Sequence, residues 1–171
     1  APAGAPARVL LAGVSEAAPA SIAVELAETL AASGRRTLAV WTGAPDSCPG
    51  VADATVTGLG AVLRSSVSLA QVLPETPSWV AWLTASGSDD LVALVRPEAA
   101  DVLVEQAHRA GFEVVLFVTP SPVSQAVALG VAHRATAVVV AAGEHPRRRA
   151  LADTVDLLAQ VGVRPQEVLV G

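Results

Sequence analysis

The chain has 171 residues, of which 52% are hydrophobic and 16% charged, and its formal net charge is −5 at pH 7. This length suits one α/β domain, and the apolar content excludes an intrinsically disordered chain. The acidic balance argues against nucleic acid as the main partner. The sequence contains no run of about 18 apolar residues, which a membrane-spanning helix would need. The single cysteine excludes an internal disulfide and fits a reducing cytosol.

The chain opens with the pattern of a strand, a small-residue loop and a helix, which is where nucleotide-binding folds hold phosphate. Residues 1–7 (APAGAPA) are predicted to be a linker and residues 8–171 one domain. Because the sequence contains no Met, we interpret it as a domain cut from a longer protein. Residues 14–20 are predicted to be a turn, and Gly34 is predicted to end the first helix.

Apolar runs and helical periodicity alternate along the rest of the chain, which predicts a three-layer, doubly wound, mostly parallel sheet of the P-loop-NTPase (Rossmann-like) type. Core strands are predicted at Val9–Gly13, Arg36–Trp41, Glu113–Val118 and Ala137–Ala142, with further strands at 78–85 and 167–170. Helices are predicted at 21–34, 58–65, 68–73, 88–95, 98–110, 123–131 and 147–161, and residues 43–54 are predicted to be turn.

The loop after the first strand has the shape of a P-loop without its chemistry. A P-loop needs the pattern G-x-x-x-x-G-K-[ST], because the Lys reaches the β/γ-phosphates and the hydroxyl binds Mg²⁺. Counting from Gly13, the Lys becomes Pro19 and the Ser/Thr becomes Ala20. All eleven Lys and Arg residues of the chain are Arg, so it contains no lysine. The sequence predicts a degenerate nucleotide loop that comprises Gly13, Ser15, Pro19, Ala20 and Ser21.

Two interpretations of this loop stay open. Backbone amides at the start of the helix can bind an anion without a Lys, with Ser15 and Ser21 beside them. Alternatively, the segment is an ordinary helix start, because Glu16 would repel phosphate and Pro19 lacks an amide donor.

Four segments carry a family resemblance that extends over residues 8–171. They are AVELAETLAASGRRTLAV, GLGAVLRSSVSLAQVL, EVVLFVTPSP and ATAVVVAAGEHPRRRALADTVDLLAQVGV. Their order and spacing resemble the cytoplasmic ATPase domain of the bacterial tyrosine kinases attached to exopolysaccharide chain-length regulators, itself a relative of the septum-site and partition ATPases. The resemblance implies a bacterial, cytoplasmic domain, with any membrane tether in segments outside this chain.

The residues on which activity depends in that family are replaced in this chain. The loop Lys and the Mg²⁺-binding Ser/Thr correspond to Pro19 and Ala20. The two Asp after the second strand correspond to Trp41 and Gly43, and the Asp of the Asp-Thr-Pro-Pro strand corresponds to Val118. Because these groups neutralise phosphate charge, coordinate metal and activate water, the comparison implies a pseudo-ATPase without catalytic residues, cofactor or metal.

The leading hypothesis is a non-catalytic interaction or assembly domain of a bacterial envelope polysaccharide biosynthesis or export protein. One alternative is an inactive relative of partition-type ATPases that positions a secretion or division machine. Another is an enzyme with unrelated chemistry at the carboxyl edge of the sheet, although a G-x-S-x-G nucleophile elbow is missing. The groove of the family's nucleotide site is expected to be lined by Pro19, Ala20, Gly43, Val118 and Thr119.

A protein partner is expected, either a second copy of the chain or a related active ATPase. The candidate partner surface is the cationic cluster Arg147, Arg148 and Arg149, next to His145. Three Arg residues at a helix start oppose the helix dipole, so they do not serve helix stability; a solvated polar face is the other interpretation. Of Trp79 and Trp82, one is expected in the core and the other is available to anchor a partner.

Overall fold

Seven parallel strands form a single sheet with helices on both faces in the computed structural model of this chain. The structure describes residues 4–15, 18–49, 55–73, 79–85, 87–120, 127–143, 147–160, 162–165 and 167–170. The strands are β1 (Ala7–Gly13), β2 (Thr37–Trp41), β3 (Thr55–Thr57), β4 (Val80–Thr84), β5 (Val114–Thr119), β6 (Ala137–Ala142) and β7 (Glu167–Val170). The helices are α1 (Ala18–Ala32), α2 (Leu59–Leu63), α3 (Leu69–Val72), α4 (Ser88–Leu94), α5 (Pro97–Arg109), α6 (Val127–Ala132) and α7 (Arg148–Gln160).

The strands lie in the order β3-β4-β2-β5-β1-β6-β7, and each neighbouring pair is parallel. From β1 the chain continues to β2, towards the β3 edge of the sheet, and from β5 it continues to β6, towards the β7 edge. Winding outwards in both directions from the centre is the doubly wound arrangement. The predicted fold class is therefore confirmed. All six residues of β5 are buried, as expected for a Val-rich strand covered on both faces.

The two faces of the sheet carry unequal layers. On one face, α2 to α7 pack around strand residues such as Leu10, Val115 and Phe117. On the other face, α1 packs through Ile22, Ala23 and Ala27 against Leu11, Trp41, Val118 and their neighbours. Right-handed crossovers explain this placement. The connection through α1 runs towards the β3 edge of the sheet, whereas the connections that contain the other helices run towards the β7 edge, so their helices lie on the opposite face.

The first helix begins earlier than the sequence predicts. α1 starts at Ala18, so Pro19, Ala20 and Ser21 are helical, and the prediction of a turn through residue 20 is wrong at its end. Proline is tolerated in the first turn of a helix, because an N–H there has no intrahelical acceptor to lose. Gly34, with φ of 79°, follows the end of α1 as predicted.

Two features on the β3 side of the sheet differ from the prediction. The sequence pattern does not reveal β3, because three residues at a sheet edge are too short to show an alternation. β4 begins at Val80, so Trp79 precedes the strand and is 55% exposed, whereas Trp82 lies within it and is buried. In the part of the chain that the structure describes, no helix has the length and apolar character needed to cross a membrane.

Candidate functional site

In parallel α/β sheets the usual ligand site lies at the carboxyl ends of the central strands. In this chain those ends are Gly13 of β1, Trp41 of β2 and Thr119 of β5. Trp41 is paired in register with Val118, and Ala12 with Thr119, so positions that the resemblance aligns with the family's catalytic residues meet at one edge. The structure therefore brings together the residues that the sequence comparison singled out.

Gly13 ends β1 in a space too small for a side chain. An ideal Cβ at this position would lie 2.1 Å from the carbonyl oxygen of Pro120 and 2.7 Å from Cδ of Pro19. Both prolines are buried. The ring of Pro19 therefore lies directly against the end of β1, and the first turn of α1 closes onto the strand at the place where a P-loop would surround phosphate.

Trp41 occupies the end of β2. Its side chain is 1% exposed, and its indole Nε1 donates a hydrogen bond of 2.9 Å to the carbonyl oxygen of Ala44. An ideal Cβ at Gly43 would lie 2.8 Å from Cε2 of the indole. The chain after β2 thus passes close over the ring, and Trp41 and Gly43, which the resemblance aligns with two Asp residues, form one apolar contact.

Val118 completes this packing between the ends of β2 and β5. It is fully buried and belongs to the same apolar cluster as Trp41 and Leu11. The backbone N–H and the Oγ1 hydroxyl of Thr42 each donate to the carbonyl oxygen of Val118, both at 3.1 Å. These contacts close the edge between the two strands, so Gly43, Val118, Thr119 and Pro19 are buried and do not line an open groove.

Two threonine hydroxyls at the same edge, those of Thr84 and Thr119, are buried and have no hydrogen-bond partner among the described residues. Thr84 pairs in register with Trp41, on the α1 side of the sheet. Thr119 pairs with Ala12, which packs on the opposite side. Because register partners share a face, the two hydroxyls lie on opposite faces and do not converge on one ligand.

A buried carboxylate lies next to this edge, at a position where the sequence pattern indicates only an acidic helix start. Asp90, in the first turn of α4, is 4% exposed, and its Oδ1 lies 3.7 Å from Nη1 of Arg64. An ideal Cβ at Gly60 of α2 would lie 1.7 Å from that same oxygen. The sequence signal is the Gly-Leu-Gly run at 58–60, which lets α2 approach the acidic start of α4.

The other predicted residues are distributed over the surface. Ser15 and Ser21 are exposed and Ala20 is half-buried. Arg147, Arg148 and Arg149 are exposed at the start of α7, and among the described residues they form no ion pair. Glu16 and His145 lie outside the described residues. Within the described ranges, no three His, Cys, Asp or Glu side chains group as metal ligands would.

Comparison with known proteins gives matches at the level of structure. No protein-family model and no curated protein sequence matches the chain. The VpsO kinase domain superposes with a TM-score of 0.75 at 20% identity, over 97% of this chain and 84% of that one. The kinase domain of the Escherichia coli tyrosine kinase ETK gives a TM-score of 0.75 at 16% identity, over 97% and 67% of the two chains.

A third solved structure, a ParA family ATPase from Chlorobium tepidum, superposes with a TM-score of 0.71 at 12% identity. That match covers 98% of this chain and 73% of the ATPase. Identities this low relate folds and do not carry over activity or site residues. The chain therefore has the fold shared by the bacterial tyrosine-kinase domains and the ParA-type ATPases.

Proposed function

We propose that residues 8–171 form a pseudo-ATPase domain that acts as a non-catalytic interaction or assembly module of a bacterial envelope polysaccharide biosynthesis or export protein, with residues 1–7 as its linker. The chain-length regulator systems of the family it resembles supply the polysaccharide context. The location proposed is the cytoplasm, and any membrane tether belongs to segments outside this chain.

The packing of Trp41 is the observation that supports this proposal most directly. Its indole fills the end of β2 and is 1% exposed, at a position that the resemblance aligns with an Asp of the family. Pro19 lies against Gly13 in a similar way at the end of β1. A site that had only lost its charges would leave an open polar groove, whereas here large apolar groups occupy the space.

Among the described residues at this edge, binding of ATP·Mg²⁺ also lacks an electrostatic basis. Triphosphate needs cationic groups and Mg²⁺ needs oxygen ligands, and Pro19, Ala20 and Val118 supply neither. The buried hydroxyls of Thr84 and Thr119 lie on opposite faces of the sheet, which disfavours the alternative of an unrelated enzyme at the same edge.

The proposed partner surface is the exposed trio Arg147, Arg148 and Arg149 at the start of α7. Their charge is not neutralised by an ion pair within the described part of the chain, so it is available to an acidic protein surface. The partner proposed is a second copy of the chain or a related active ATPase. Without nucleotide, such assembly would be constitutive and would not be switched by hydrolysis.

Isothermal titration calorimetry with ATP·Mg²⁺ tests the loss of nucleotide binding, and thermal unfolding with and without nucleotide provides an independent measurement. We expect no binding heat and no rise in the melting temperature at millimolar nucleotide. Micromolar affinity or hydrolysis would contradict the pseudo-ATPase assignment.

Sedimentation velocity, alone and with an active kinase domain from the same host, tests the assembly role. We expect association that weakens when Arg147, Arg148 and Arg149 are all changed to Gln. A strictly monomeric chain that binds no protein and instead holds or converts a small molecule would contradict the proposal.

An inactive partition-type role is the second candidate, because the ParA family ATPase superposes almost as well as the kinase domains. The same association experiment separates the two, since a partition-type relative should bind an active partition ATPase in preference to a tyrosine kinase.

A further inference from the structure

A cavity of about 530 Å³ lies at the amino edge of the sheet, at the opposite end from the site described above. Its walls come from the start of β1, from α5, and from the turn between α6 and β6. The lining residues with charged or polar side chains are Arg8, Asp101, Glu105, His108, Arg134 and Thr136.

Two guanidinium groups share one carboxylate in this cavity. Nη1 of Arg8 contacts Oδ1 of Asp101, and Nη1 of Arg134 lies 2.6 Å from Oδ2 of the same side chain. Asp101 neutralises only one of the two cations, so the trio keeps a net positive charge. The side chains of Arg8 and Asp101 are 26% and 35% exposed, which leaves them accessible from the cavity but less screened than on an open surface.

The backbone holds this trio in place. Arg8 and Thr136 exchange hydrogen bonds, with the Arg8 N–H donating to Thr136 Oγ1 at 2.7 Å and the Thr136 hydroxyl donating to the Arg8 carbonyl at 2.8 Å. These bonds fix the start of β1 to the residue before β6. Arg134 lies two residues earlier, in the turn that leads into β6. The two guanidinium groups approach Asp101 from separate elements, so their spacing depends on the fold and not on a flexible loop alone.

The remaining charges around the cavity do not cancel this excess. Glu105 is paired with Arg109 along α5, with Nε of Arg109 at 3.0 Å from Oε1 of Glu105. His108 is exposed on the same helix. Each guanidinium has five N–H donors, and the contact with Asp101 engages only part of them.

We propose that this cavity binds a small oxyanion, a carboxylate or a phosphate group, through the N–H donors of Arg8 and Arg134 that Asp101 does not engage. Planar guanidinium groups bind such anions through paired N–H donors, and the net positive charge of the trio supplies the attraction. The site is independent of the nucleotide edge and of the partner surface at α7, so it stands or falls separately from the proposed function.

The test is calorimetric titration of the whole chain with sodium phosphate and with sodium acetate, and with sodium chloride at matched ionic strength as the salt control. Phosphate and acetate distinguish the two sources of oxyanion. Arg134→Gln removes one donor group but keeps the contact between Arg8 and Asp101, and we expect about a tenfold loss of affinity. Asp101→Asn leaves both cations uncompensated, and we expect about a tenfold gain.

Arg164→Gln, an exposed Arg outside the cavity lining, is the matched control and should leave affinity unchanged. Arg134→Gln loses one ion pair and Asp101→Asn loses two, so both variants should melt earlier than the parent. The opposite signs of their affinity changes therefore separate ligand binding from a purely structural role. If Asp101→Asn does not fold, the loss in Arg134→Gln relative to Arg164→Gln decides the question. The proposal is overturned if neither anion binds above the chloride control, or if Arg134→Gln binds as tightly as the parent chain.

Discussion

At the carboxyl edge of the sheet Trp41, Pro19 and Val118 are packed into the core, whereas at the amino edge Arg8, Asp101 and Arg134 surround a cavity. In doubly wound sheets ligands usually bind at the carboxyl ends of the strands. In this chain those ends are packed, and the cavity for which we propose an anion lies at the amino edge. The two edges of the same sheet therefore differ in kind, with apolar side chains packed at the carboxyl edge and charged side chains around a cavity at the amino edge.

The largest effect should come from emptying the packed edge. Trp41→Ala removes a buried indole together with its hydrogen bond to Ala44, and we expect a loss of about 3–5 kcal/mol in the free energy of unfolding. Urea denaturation followed by circular dichroism measures this. Trp79→Ala, at a Trp that is 55% exposed, is the control, with an expected change of about 0.5 kcal/mol or less. Equal losses in the two variants would show that Trp41 is not a core residue.

A methyl group added at the end of β1 tests the same edge by overfilling it. Gly13→Ala would place Cβ 2.1 Å from the carbonyl oxygen of Pro120, which must then move, and we expect a loss of about 1–3 kcal/mol in unfolding free energy. Gly143→Ala, just after β6, is the matched control, because an ideal Cβ there meets no atom of the described residues within 4 Å. A tolerated Gly13→Ala substitution would mean that the loop is open and able to admit a ligand.

The sequence predicts the carboxyl edge better than the amino edge. Long Val-rich runs such as β5 and the helical period of α1 identify the elements, and their alternation is sufficient for a parallel sheet. Counting from Gly13 identifies Pro19, whereas the correspondence of Trp41 and Val118 to Asp residues rests on the family resemblance and stays a prediction. The sequence does not predict that the Trp41 ring is packed at the end of β2 or that Pro19 is part of α1. Both features depend on contacts between elements, and a local sequence pattern cannot predict such contacts.

The amino-edge trio illustrates this limit most clearly. Asp101 lies 93 residues from Arg8 and 33 residues from Arg134 in sequence. Each residue, taken alone, looks like an ordinary charge at the end of an element. Only the order of the strands, which places β1 beside β6, and the packing of α5 bring the three together.

Asp90 combines features of the two edges, because it is a charged side chain that is buried in the core. Asp90→Ala removes a carboxylate that is 4% exposed, and we expect a loss of about 1–3 kcal/mol in unfolding free energy. Arg64→Ala removes the ion pair with Arg64, whose side chain is 62% exposed and 3.7 Å away, and should cost about 0.5 kcal/mol or less. Urea denaturation of both variants gives the difference. If Arg64→Ala proves as costly as Asp90→Ala, the ion pair and not the burial of Asp90 is what stabilises the contact between α2 and α4.

The smallest change in unfolding free energy is expected for Glu105, at the rim of the amino-edge cavity. Its size shows whether Glu105 is coupled to the charges inside the cavity. Glu105 and Arg109 form a pair with side chains that are 57% and 68% exposed, so water screens most of their attraction. Glu105→Gln should change the free energy of unfolding by about 0.3–0.5 kcal/mol in low salt, and the change should vanish at about 1 M salt. Glu113→Gln, at an exposed Glu near the same edge, controls for the loss of one negative charge. A loss well above 1 kcal/mol that persists in high salt would mean that Glu105 is coupled to Asp101 and its two arginines, and the cavity would then hold a balanced network in place of a net positive charge.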